Sequence, residues 1–154
     1  MAVYIRQNDL RRLQESFAGS GDLESLRHPP ESSLEPTLMD EAAAFGRIEI
    51  ARWLVSKGDR LDQLNHQGQN VAFSAAAQNQ VEMLAWLREQ GLDMKKIDLQ
   101  GDTCLMVAAA RGNTAAVKWC LENLNFKLEY ENRRRKTVRR WTIAMLWSLR
   151  KGHE

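Results

Sequence analysis

Three stretches of the chain rhyme without a gap. They are IEIARWLVSKG (Ile48–Gly58), VEMLAWLREQG (Val81–Gly91) and TAAVKWCLENL (Thr114–Leu124). Each carries a tryptophan at the same point, so Trp53, Trp86 and Trp119 stand 33 residues apart. The same step aligns Ala42, Ala75 and Ala108, together with the two alanines that follow each of them. It also aligns Gly46 with Asn79 and Gly112, and Ile48 with Val81 and Thr114. Self-similarity at such a period means a stack of supersecondary units, each too small to bury its apolar face alone. The chain is therefore expected to be a linear array in which each unit packs on its neighbours.

One unit reads as two short helices joined by a tight turn. The alanine triplet lets the first helix lie close to its neighbours. The Gly or Asn that follows tolerates the left-handed backbone needed between antiparallel helices. The second helix has apolar residues at helical spacing, and Gly58 and Gly91 end it in the first two units. Polar links follow, DQLNHQGQN (Asp62–Asn70) and KKIDLQGDT (Lys95–Thr103), with Gly68 and Gly101 placed to make their turns.

On these residues the chain resembles the ankyrin repeat, whose units of this length combine a β-turn with two helices and have a consensus near D-x-x-G-x-T-P-L-H-x-A-A-x-x-G. The nearest match is DLQGDTCLMVAAARG (Asp98–Gly112). NHQGQNVAFSAAAQN (Asn65–Asn79) keeps the glycine and the alanine pair but loses the threonine, and TLMDEAAAFG (Thr37–Gly46) keeps Thr37 and the glycine. No unit has an intact T-P-L-H: they read TLMD, NVAF and TCLM. The resemblance implies an all-α solenoid of helix-turn-helix units with short β-turn links.

As a single domain over 1–154, the chain divides into repeats at 36–64, 65–97 and 98–131. Solenoid ends need caps with one polar face. AVYIRQNDLRRLQESF (Ala2–Phe17) reads as two helices about a turn at Asn8-Asp9, so 1–17 is expected to be the N-terminal cap. Residues 18–35 break the period with Gly, Ser and Pro29-Pro30 and are expected to form an extended loop. TVRRWTIAMLWSLRKG (Thr137–Gly152) reads as a helix, which makes 132–154 a basic C-terminal cap.

Composition narrows the function. Hydrophobic residues are 44% and charged residues 27% of the chain, which suits a folded domain rather than a disordered one. No apolar run approaches the roughly 18–20 residues of a membrane span, and the N-terminus lacks a secretory signal. Cys104 and Cys120 lie among apolar residues and are expected to be buried free thiols, which favours a cytoplasmic protein. The net charge of +2 hides an asymmetry. Residues 127–154 carry nine Lys or Arg against three acids, so that end is +6 and the remainder −4.

Catalytic chemistry has no visible carrier. His28, His66 and His153 stand in a loop, a turn tip and the tail, and no CxxC, HExxH or phosphate-binding glycine motif occurs. No catalytic residue, cofactor or metal is expected. In the second helices, Trp119 lies roughly 160° from Val117 on a helical wheel, and Trp86 stands likewise to Leu84. The tryptophans fall on the convex side near the seam between units. They either cover that seam half-buried or form an apolar stripe that a partner covers.

Ankyrin proteins use a concave groove made of turn tips and the exposed side of the first helices. By register, the resemblance points to Ala44 and Phe45 in the first unit. It adds His66, Gln67, Gln69, Ala77 and Gln78 in the second, and Leu99, Gln100, Asp102, Ala110 and Arg111 in the third. Arg133, Arg134 and Lys136 follow in the closing segment. Phe45 is the expected anchor, or else it packs on the 18–35 loop. The resemblance thus implies a non-enzymatic module that binds a protein partner and is monomeric when free. It looks like the small stand-alone bacterial ankyrin proteins, some of which act as inhibitors or immunity partners by docking on a toxin or enzyme. The alternative is contact with nucleic acid or an acidic partner through NRRRKTVRRW (Asn132–Trp141), with nucleic acid disfavoured by the acidic body and a pI of 8.7.

Overall fold

Thr37, Asn70 and Thr103 each sit in extended backbone and start a helix, one unit apart. The Thr37 hydroxyl accepts from the Asp40 amide while the Asp40 carboxylate accepts from the Thr37 amide, a reciprocal capping box. Asn70 replaces the threonine of the middle unit and keeps its task, because its Oδ1 accepts from the Ala72 amide at 3.2 Å. Thr103 Oγ1 accepts from the Met106 amide. These caps open the first helices α3 (Leu38–Ala44), α5 (Val71–Ala77) and α7 (Cys104–Ala110).

The structure is a computed structural model that describes residues 2–20, 36–127 and 132. Ahead of α3 stand α1 (Ala2–Arg6) and α2 (Leu10–Ser20). The second helices are α4 (Ile48–Ser56), α6 (Val81–Glu89) and α8 (Thr114–Asn123). Among the described residues there are eight helices and no strand, only an isolated antiparallel bridge between Ile97 and Thr103. The first helices form one layer, with α1 on α3, α3 on α5 and α5 on α7. The alanines that face this layer, Ala42, Ala43, Ala75, Ala76, Ala108 and Ala109, are buried. Larger side chains there would hold the helices apart. The core runs unbroken from Ile5 and Leu13 through Ile50, Leu84 and Leu105 to Val117.

The turn between paired helices carries a second, hydrogen-bonded register. At Asn79 the backbone is left-handed, φ 59°, where the other units have glycine. Asparagine tolerates that region better than other residues with a side chain, and here Asn79 Oδ1 also accepts from the Ala116 amide of the next unit at 2.9 Å. One residue further, Arg47, Gln80 and Asn113 open α4, α6 and α8, yet none caps its own helix. Each instead donates to carbonyls at the end of the preceding unit's first helix. Arg47 reaches Ile5 O and Arg6 O, Gln80 reaches Ala44 O, and Asn113 reaches Ala76 O and Ala77 O. The last turn of a helix leaves carbonyls without partners. Three different side chains at one register position satisfy them.

Two expectations need correction. Residues 18–20 continue α2 rather than starting a loop. Trp86 is only 5% exposed and belongs to the core, so the three tryptophans do not form an exposed stripe. A wheel places Trp86 relative to its own helix alone. In the stack Trp86 joins the hydrophobic core, where α6 packs on α5 and α8. Trp53 and Trp119 are half-buried against the core, and Phe17 of α2 meets the Trp53 ring edge-on at 5.3 Å. Cys104 and Cys120 are buried and unbridged. The hydrogen bond with the Cys120 thiol, and after it burial, hold the Cys104 pKa well above its ordinary value.

Candidate functional site: the concave groove

Two neighbouring depressions hold nearly all of the described positions expected to meet a partner. The first is a groove of about 380 Å³ across the exposed side of α3, α5 and α7. Phe45, Gln67, Gln69, Gln78 and Arg111 line it, with Ala44 and Ala77. The second lies at the turn tips and is lined by His66, Gln67, Gln69, Leu99, Gln100 and Asp102, with Asp98. Gln67 and Gln69 border both. Ala110 is exposed but lines neither. Arg133, Arg134 and Lys136 lie outside the described residues.

The turn tips are built by one device used twice. Asn65 Oδ1 accepts from the amides of Gln67 and Gln69, and Asp98 Oδ1 accepts from the amides of Gln100 and Asp102. These Asx turns hold the backbone without help from a ladder. The tips are then tied together. Gln69 Nε2 donates to Asp98 Oδ2 at 2.8 Å, the Leu99 amide donates to Gln67 O, and Asn132 donates to Asp102 Oδ1. The Gln69 side chain thus has a structural task. Leu99, at 59% exposure, is left on the outside of the tip.

The groove wall at the N-terminal end is a charged and aromatic cluster. Arg6 of α1 makes a bidentate contact with Glu41, Nη2 to Oε1 at 3.0 Å and Nε to Oε2 at 3.2 Å. This bond and the attraction to Glu41 raise the Arg6 pKa further. The same guanidinium lies over the Phe45 ring, 5.7 Å from its centroid. Phe45 is 40% exposed, so Arg6 covers part of the ring and leaves the rest open. Asp40 is equally committed. It closes the Thr37 capping box and accepts from Ser74 Oγ at 3.1 Å, which links α3 to α5.

Arg6, Glu41, Ser74 and Val107 were not among the residues the sequence pointed to. Glu41, Ser74 and Val107 share one register position and stand one helical turn before Phe45, Gln78 and Arg111, so helical spacing alone carried that signal. Arg6 belongs to α1 and has no counterpart in the period. Among the described residues no group of three or more His, Cys, Asp or Glu is placed to hold a metal ion, and no helix is long and apolar enough to cross a membrane.

Capped pairs of antiparallel helices, stacked in one layer of first helices and one of second helices, with hydrogen-bonded turns at one edge, define a helical repeat solenoid. The family model described as ankyrin repeats (3 copies) matches the chain over residues 38–133 and 73–154. The chain belongs to the ankyrin-repeat family. Ankyrin repeats generally mediate protein–protein interaction and are typically non-enzymatic. A search of curated proteins found no match to the sequence.

Proposed function

We propose that this protein acts by binding a protein partner in the concave groove, without catalysis of its own. One observation carries the reading: Phe45, Gln67, Gln78 and Arg111 converge on a single groove while the fold makes no use of the last three side chains among the described residues. Aromatic and arginine side chains are the groups that dominate protein interfaces. The finer reading is an inhibitor or immunity partner that docks on a toxin or enzyme in the cytoplasm and blocks it, the free chain being a monomer. A surface fixed by inter-unit bonds supports it, because little ordering cost remains to be met on docking.

The test is capture from the native host with the full chain and with Ser74→Arg, which fills the groove beside Asp40. A stable protein partner retained by the wild type and lost by Ser74→Arg is expected, and the partner's activity should fall when the chain is added in equal amount. Equal recovery by both forms would remove the groove from the account. The basic segment from Arg133 supports a second reading, contact with an acidic surface. Nucleic-acid binding there would weaken linearly in log salt.

A further inference from the structure

The groove's charges are unequally committed. Both Glu41 oxygens are engaged by Arg6, and the Asp40 carboxylate is shared between Thr37 and Ser74. Every oxygen of both acids already accepts at least one hydrogen bond within the fold. Arg6 is spent on Glu41 and Phe45. Arg111 lines the same groove, is exposed, and has no ion pair or side-chain hydrogen bond among the described residues. The groove therefore presents one acid neutralised by Arg6, a second acid, Asp40, held by neutral donors, and one uncommitted cation, Arg111.

Two further groups are uncommitted. The side-chain amides of Gln67 and Gln78 have no partner among the described residues, and each offers both a donor and an acceptor. Amide side chains of this kind match the alternating N–H and C=O groups of an extended peptide. The open part of the Phe45 ring, flanked by Ala44, is an apolar seat. At about 380 Å³ the groove has the size of a pocket that takes a few side chains rather than a whole face.

We infer that the groove recognises an extended segment of its protein partner that carries an apolar side chain for Phe45 and a carboxylate for Arg111, with Gln67 and Gln78 pairing to the segment's backbone. The inference rests on the protein-binding reading above and adds the chemistry of what is bound. A guanidinium takes a carboxylate through paired N–H groups, a fit that an ammonium or a neutral group does not reproduce. A segment bearing Lys or Arg at that point meets Arg111 as a like charge and is rejected, so the same residue supplies both attraction and discrimination.

Selection of random octapeptides displayed on phage against the purified full chain tests this directly. Three further baits are run in parallel: Arg111→Glu, Phe45→Ala and Ser74→Arg, each first shown by circular dichroism to melt as a folded helical protein. The wild type is expected to enrich peptides with an apolar residue near an Asp or Glu. Arg111→Glu should enrich Lys or Arg at the acidic position and bind a wild-type-selected peptide about tenfold or more weakly, as expected for loss of a close charge pair. Phe45→Ala should lose the apolar preference and keep the acidic one, and Ser74→Arg should enrich nothing. Enrichment without carboxylates, or the same peptides on Arg111→Glu, overturns the inference but leaves the protein-binding reading standing if host capture still depends on the groove. No enrichment by the wild type over Ser74→Arg overturns the inference as well, and failure of the host capture then distinguishes loss of the broader reading.

Discussion

At the scale of single residues, positions that break the ankyrin consensus turn out to have been refitted. Asn70 caps α5 in place of threonine and also donates to Asp93 O. Gly46, which keeps the consensus, shows how tightly the turn between helices is held. Its φ is +66°, and a Cβ there would stand 2.5 Å from Gln80 Oε1, the side chain that closes the bond to Ala44 O. Gly46→Ala is expected to destabilise the protein by about 1–2 kcal/mol from the left-handed backbone alone, with the displaced Gln80 adding to it. Urea unfolding of the single variant reads the loss, and it should shrink when Gln80→Ala is already present. The thiols give a second residue-scale test. Because the Cys120 hydrogen bond and burial raise the Cys104 pKa, the folded chain keeps a proton that the unfolded chain releases. The associated stability is complete below the unfolded thiol pKa, about 8.5, and is lost as pH rises from there toward the folded value. The urea midpoint should therefore fall as pH rises past about 8.5, less steeply in Cys104→Ala. A thiol reagent at pH 8 should modify neither cysteine until urea is added.

At the scale of elements, the stack depends on bonds between units as well as on apolar packing. Asn113 satisfies two carbonyls at the end of α5 with one amide group. Asn113→Ala leaves both without that donor and is expected to cost about 1–3 kcal/mol. Hydrogen exchange should show the loss spreading to α8 and the end of α5 before it reaches α3. Equal loss in every unit would contradict a chain of nearest-neighbour couplings. The period made these elements legible in the sequence: the alanine triplets, the left-handed Gly and Asn positions and the turn glycines all follow from one register. The ladder at Arg47, Gln80 and Asn113 was hidden because three unlike side chains do the same job, and similarity of residue type carries no trace of it. Trp86 was hidden for another reason. Its burial comes from packing in the stacked core, and a wheel drawn on one helix contains no neighbour.

At the scale of the whole molecule, the candidate site was partly legible. The register placed Phe45, Gln67, Gln78 and Arg111 on one face, and the groove gathers them. The register did not supply Arg6, which comes from α1, outside the repeats, and which fixes Phe45 and neutralises Glu41. The groove's electrostatics thus depend on a residue that the period does not contain. A protein partner is proposed to sit on the concave face. The most direct measurement is amide hydrogen exchange of the full chain, free and in complex with the partner captured from the host. Slowed exchange is expected at the turn tips around Gln67 and Gln100 and at the ends of α5 and α7 beside Gln78 and Arg111, with α4 and α6 unchanged. Slowed exchange confined to α4, α6 and α8, with the tips unaffected, would contradict it.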